Sequence, residues 1–250
     1  MAWTWAAATC RGTSHERAGT PCQDVARSLV IGRRSSVFAS IVSDGAGSAR
    51  FGGQGAAVTC WTIVGSARRH FSKSSAAPTD DELWIWIDEV RDRINTAAAR
   101  RDTEARQFAC TLVAVFAMKD STLILHVGDG AAVLRQGGDW VSPSWPANGE
   151  YASTTFFVTD EPMPQLRITR LEQPADAVAV FTDGIERLTL NFAEERPHAP
   201  FFDAMFQPIF RSEAAGKNSS LTASLGRYLN GAAVNERTDD DKTLVLAARR

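Results

Sequence analysis

The chain has 250 residues, of which 44% are hydrophobic and 22% charged, with a formal net charge of -2. That length fits one large domain or two small ones, and the composition supports a sizeable core and excludes general disorder. The slightly acidic balance offers no basic face for nucleic acid, and no apolar run reaches the length of a membrane span, so neither partner is expected.

The N-terminal residues Met1-Ala-Trp-Thr-Trp-Ala lack a basic segment followed by a long apolar run, so a cytoplasmic protein without a secretory signal is expected. The first strands are predicted at residues 3–9, 28–31 and 37–42, the last a β-branched run that stops at Ser43-Asp44-Gly45. A helix rich in Ala, Val and Ile follows over 52–71. A second is announced by Thr79-Asp80-Asp81-Glu82, a capping start, and by Leu83, Ile87, Val90, Ile94 and Ala97 at helical spacing. Trp84 and Trp86 lie two apart on it and cannot both face the core, so one is expected at the surface; Arg91 reads as part of a solvated face.

Strands then return. Residues 110–118 and 122–127 form a hairpin about Lys119-Asp120, and 131–134 and 140–141 flank a turn at Gly137-Gly138. Residues 155–158, 166–171 and 177–181 continue the β pattern. Helices are expected over 201–211 and 221–229, loops over 194–200 and 216–219, and a final strand over 243–247. This order fits an α+β layered domain, with residues 1–250 as a single unit.

Cys10, Cys22, Cys60 and Cys110 are scattered without a C-x-x-C pair, which disfavours a zinc site or disulfide framework. The aspartates are more informative. Asp44, Asp129 and Asp183 each precede a glycine at the C-terminal end of an apolar run, and Asp240 and Asp241 stand directly before the last strand. A single Asp-Gly is a turn signal. Three of them, each ending a buried strand, place hard oxygen donors on rigid backbone, as Mg²⁺ or Mn²⁺ requires.

In order, Gly12-Thr-Ser-His15, Cys22-Gln-Asp24, Ser43-Asp-Gly-Ala-Gly47, Gly52 and Gly55, Cys110-Thr111, Val127-Gly-Asp129, Phe181-Thr-Asp-Gly184 and Asp240-Asp-Lys-Thr243 resemble the metal-dependent, type 2C-like serine/threonine protein phosphatase family, in its compact bacterial branch. The resemblance implies a four-layer α-β-β-α sandwich, two antiparallel sheets flanked by helices, with two Mn²⁺ or Mg²⁺ ions at one end. It implies Asp44 bridging both cations and a water or hydroxide, the Gly45 carbonyl on the second metal, Asp183 and Asp240 completing the first, and Asp24 on metal-bound water. Attack of that water on phosphoserine or phosphothreonine needs no phosphoenzyme.

Three departures follow from the same alignment of motifs. Ala46 stands where many members carry a histidine proposed as general acid, and His15 is the available substitute. Gln23 replaces an acidic residue before Asp24. Asp129 matches a third-metal aspartate, but the position of its usual acidic partner, four residues after Asp183, holds Arg187 here, with Glu186 beside it, so a tightly held third ion is not expected. Arg17, ahead of Arg11, is the candidate phosphate-binding arginine. The implied partners are a phosphoprotein substrate and a cognate serine/threonine kinase. The alternatives are a phosphoprotein-binding pseudophosphatase and a metallohydrolase of small phosphoesters.

Overall fold

The structure, a computed structural model, describes residues 2–32, 37–147 and 155–250. The chain runs β1 (Trp3–Cys10), the short helix α1 (Thr13–Ala18), β2 (Val25–Ile31) and β3 (Val37–Ser43), then the 20-residue helices α2 (Gly52–Phe71) and α3 (Asp80–Ala99). Strands β4 (Leu112–Ala117), β5 (Thr122–Val127), β6 (Ala131–Gln136), β7 (Asp139–Ser144), β8 (Arg167–Leu171) and β9 (Ala177–Phe181) follow. A 3₁₀ turn at Asp183–Ile185 leads into α4 (Glu186–Thr189), β10 (Leu190–Asn191), β11 (Arg196–Pro197), α5 (Ala199–Arg211) and β12 (Gly216–Lys217). Helices α6 (Ser219–Leu229) and α7 (Ala232–Asn235) precede β13 (Lys242–Arg249).

All seven residues of β3 are buried, which a β-branched apolar run achieves only when both of its faces are covered. Its alternating side chains divide accordingly. Ala39 and Ile41 join a core with Ile63, Ile87 and Phe116, whereas Phe38 and Val42 join one with Trp3, Val180 and Val245. The first core lies between α2–α3 and a five-stranded sheet of order β2-β3-β4-β5-β8. The second lies between that sheet and a six-stranded one of order β12-β1-β13-β9-β6-β7. A third packs Phe202, Phe206 and Leu225 of α5 and α6 on the outer face of the six-stranded sheet, against Phe181 and Leu246. The result is the expected α-β-β-α sandwich. Its strands are antiparallel except for the two-residue β1–β12 pairing, and β10–β11 forms a separate ribbon.

Helix α3 starts where the capping motif predicts. The Thr79 hydroxyl accepts the Glu82 N–H, and the Glu82 carboxylate accepts the Thr79 N–H. Residues 155–158 are not the expected strand. Val158 instead donates its N–H to the Cys110 carbonyl at 2.9 Å, as part of a loop laid across the strand ends. Arg91 departs from the solvated role expected of it: its guanidinium donates to the Val158 and Asp160 carbonyls and anchors that loop. Trp86 is buried and Trp84 packs partly against the same core, while Trp61 on α2, 55% exposed, is the surface tryptophan. The expected loop at 194–200 contains β11 and the start of α5, and that at 216–219 contains β12. Among the described residues, no helix is long and apolar enough to cross a membrane.

Candidate metal centre

The C-terminal ends of β3, β5 and β9 and the N-terminal end of β13 open on the same side of the sandwich, so Asp44, Asp129, Asp183 and Asp240 approach one another with Asp24, which directly precedes β2. The main chain holds Asp44 tightly. Its N–H donates to the Thr111 hydroxyl at 3.0 Å, and its carbonyl accepts the Thr111 N–H at 2.8 Å. Next to it, a β-carbon on Gly45 would stand 2.2 Å from the Gly52 carbonyl carbon, so only glycine lets this turn meet the start of α2. Gly184 plays the same part after Asp183, where a β-carbon would stand 1.9 Å from the Asp241 carbonyl oxygen.

Electrostatics show how strained this gathering of carboxylates is. Burial, followed by the fields of Asp24, Asp183, Asp240 and Asp129, pushes the Asp44 carboxyl well above the ordinary range. Burial raises Asp24 to about 7 and, with Asp129 and Asp240 next in importance, Asp183 to about 8. Asp129 is also raised by burial. Glu186 is pushed up to about 6 by burial and then by Asp129, so this glutamate, beside the exposed Arg187, is a further acidic neighbour of Asp129.

Two buried oxygens, Oδ1 of Asp24 and Oδ1 of Asp129, have no hydrogen-bond partner, while their sister Oδ2 atoms accept from the Thr182 and Thr155 hydroxyls. Buried oxygens without donors are costly in a purely protein environment. Among the described residues no three carboxylates form a ready-made chelate. The all-oxygen donor set, the mutual repulsion and the unpartnered oxygens nevertheless fit hard divalent cations.

Asp241, named in the sequence only as the neighbour of Asp240, has a role that the sequence did not assign. Only 2% exposed, its carboxylate accepts the N–H groups of Gly12 and Gln23, each at 2.6 Å, and lies 3.0 Å from His15 Nδ1. It thereby fastens the segment carrying His15 and Asp24 to the strand that begins beside Asp240. A doublet of aspartates before a strand was its only signal. His15 sits on α1, its Nδ1 also 3.2 Å from the Pro21 carbonyl. Arg17 pairs with Asp239 at 2.9 Å, both exposed at the rim, and Arg11 is turned to the His15 carbonyl. Ala46 is 8% exposed and packs with Ala49 and Ala109.

Burial raises the pKa of all four cysteine thiols, and Asp24 and Asp241 raise that of Cys22 further. No thiolate nucleophile is therefore poised here.

The family described as Protein phosphatase 2C matches residues 11–230. The chain is 36% identical, over 257 aligned positions spanning 99% of it and 98% of its relative, to Serine/threonine-protein phosphatase 3 of Escherichia coli strain K12. Among solved structures it is similar to the serine/threonine phosphatase Stp1 of Staphylococcus aureus (TM-score 0.61, 16% identity, 98% and 94% of the two chains covered). It is also similar to the catalytic domain of the serine threonine protein phosphatase PstP in complex with two manganese ions (TM-score 0.57, 14% identity, 99% and 98% covered). These distant structural likenesses speak for the fold.

Proposed function

The chain belongs to the protein phosphatase 2C family, and we propose that it hydrolyses phosphoserine and phosphothreonine in protein substrates at a two-metal site held by the strand-end aspartates. The observation that carries this reading is the convergence of Asp24, Asp44, Asp129, Asp183 and Asp240, each with its own carboxylate or its neighbours' disturbed by the others' charge. The residues that would hold the cations, Mn²⁺ or Mg²⁺, are Asp44, the Gly45 carbonyl, Asp183 and Asp240, with Asp24 and Asp129 at the periphery. When bound, two such ions lower the pKa of a water nucleophile and offset charge on the phosphoryl oxygens.

The protein's own groups supply the rest. Thr182 and Thr111 fix Asp24 and the backbone of Asp44, so the oxygens that face the reacting phosphate do not need to reorganise. Arg17, at the rim one residue pair away from Asp240 through Asp239, orients a phosphoryl oxygen. His15, positioned by Asp241 through Nδ1, keeps Nε2 for proton donation to the leaving alcohol, the role that Ala46 cannot fill. The enzyme domain is read as residues 1–250 of a cytoplasmic protein opposing a serine/threonine kinase. Turnover of a phosphothreonine peptide with Mn²⁺, abolished by EDTA and restored by excess Mn²⁺, tests this reading; turnover indifferent to chelation contradicts it.

A further inference from the structure

A cavity of about 240 Å³ adjoins the metal centre and is lined by Asp183, Glu186, Asp239 and Asp240 together with Arg187 and Arg237. Leu188 and Arg237 also line a second cavity of about 340 Å³, together with Phe201 and Tyr228. The two therefore form one groove. It leads from the strand-end carboxylates past a pair of guanidinium groups to an aromatic patch, with the Phe201 and Tyr228 rings 6.4 Å apart.

The charges along this groove are unevenly committed. Asp239 is engaged by Arg17, and Glu186 lies in the opposing fields of Asp129 and, after it, of its neighbour Arg187. Arg187 and Arg237 are exposed, and among the described residues neither guanidinium takes part in an ion pair or side-chain hydrogen bond. Two exposed arginines without a fixed ion-pair partner, beside a site that receives a dianion and next to the Leu188, Phe201 and Tyr228 side chains, are complementary to an extended peptide. Successive side chains of such a peptide stand about 3.3–3.6 Å apart along the chain, so near neighbours of the phosphorylated residue reach the cavity.

We propose that this groove is a substrate-reading site, in which Arg187 and Arg237 bind an acidic side chain flanking the phosphorylated residue and Leu188, Phe201 and Tyr228 take an apolar side chain beyond it. This rests on the phosphatase reading and narrows its substrates to phosphopeptides that combine an acidic with an apolar neighbour on one side.

The test compares kcat/KM, with Mn²⁺ present, for phosphothreonine peptides carrying Glu, Gln or Lys at each of the two positions on either side. Full-length protein is used, unmodified and as Arg187→Gln, Arg237→Gln and the doubly substituted Arg187→Glu/Arg237→Glu. The expected result is a Glu-over-Gln preference on one side, roughly fivefold for each exposed charge pair. That ratio shrinks in the single variants and turns toward Lys in the double one. Because the readout is a ratio between substrates, a variant that merely loosens the fold lowers both rates and leaves it in place. An equal rate for Glu, Gln and Lys peptides, or a preference untouched by the arginine substitutions, overturns the proposal. Absence of any Mn²⁺-dependent turnover overturns the phosphatase reading and this inference with it.

Discussion

The Thr182 hydroxyl donates to Asp24 Oδ2 at 2.7 Å while its oxygen accepts the Thr243 N–H at 3.1 Å. One side chain thus ties the end of β9 and the start of β13 to the aspartate that precedes β2, joining the two sheets at the mouth of the site. A hydrogen bond to a charged group contributes about 1.5–3 kcal/mol, and a partner that orients a metal-binding carboxylate typically supports affinity by about 10–100-fold. Thr182→Val, which keeps the shape and removes the hydroxyl, is expected to weaken Mn²⁺ binding toward the low end of that range, about tenfold, because Asp24 stands at the periphery of the site. Calorimetric titration checks it, and an unchanged Kd contradicts the positioning role.

Asp241 holds two backbone N–H groups, that of buried Gly12 and that of half-buried Gln23. Asp241→Ala leaves both without an acceptor, at about 1–3 kcal/mol each. Asp241→Asn retains one acceptor oxygen and is expected to lose roughly half as much. Urea denaturation of the two variants tests the order, and equal stability for both would show that these N–H groups do not depend on the carboxylate.

The raised carboxyls set the pH dependence of the metal-free protein. A carboxyl whose pKa rises on folding holds its proton more tightly in the native state, so its contribution is fully present below the ordinary range near 4. It is lost as pH climbs through about 7 for Asp24 and about 8 for Asp183. Chelator-treated protein is therefore expected to melt several degrees lower at pH 9 than at pH 5, at roughly 2–4 °C per kcal/mol for a chain of this size. Saturating Mn²⁺ is expected to reverse the difference, because ionised carboxylates are then the favoured form. A metal-free melting temperature that rises steadily from pH 5 to 9 would count against mutual repulsion at the site.

His15 carries the leaving-group proton in this account. Loss of a general acid costs about 10²–10⁴-fold where the leaving group needs a proton. His15→Gln is accordingly expected to cut kcat for a phosphothreonine peptide by that order and to cost much less with p-nitrophenyl phosphate, whose phenolate leaves unprotonated. Equal losses on both substrates would assign His15 to structure alone.

Much of the fold was readable because its signals are local. The near-continuous apolar runs at β4, β5 and β9 and the Thr79–Glu82 capping box need only neighbouring residues, and each lies where its pattern predicts. The aspartates of the site were readable through their glycines, since a strand end that must pass another backbone closely leaves Gly45 and Gly184 as its mark. Asp241, Thr182 and Arg91 were not. Their roles come from partners 229, 158 and 67 positions away, and nothing in the local pattern separates a buried latch from a solvated polar residue. The run at 155–158 misled for the opposite reason. Its apolar side chains do pack on a core, but its backbone is satisfied by the Cys110 carbonyl in place of a strand partner.

The most direct test of the central claim is to follow Mn²⁺ binding by calorimetry and phosphothreonine-peptide hydrolysis in one preparation, for the unmodified protein, Asp44→Asn and Asp183→Asn. The prediction is stoichiometric binding with turnover in the unmodified protein, and in each variant a loss of affinity and of kcat/KM of at least about 100-fold, the upper limit for mere outer-sphere partners. Full turnover in either variant, or turnover without metal, would contradict a catalytic centre built on these strand-end aspartates.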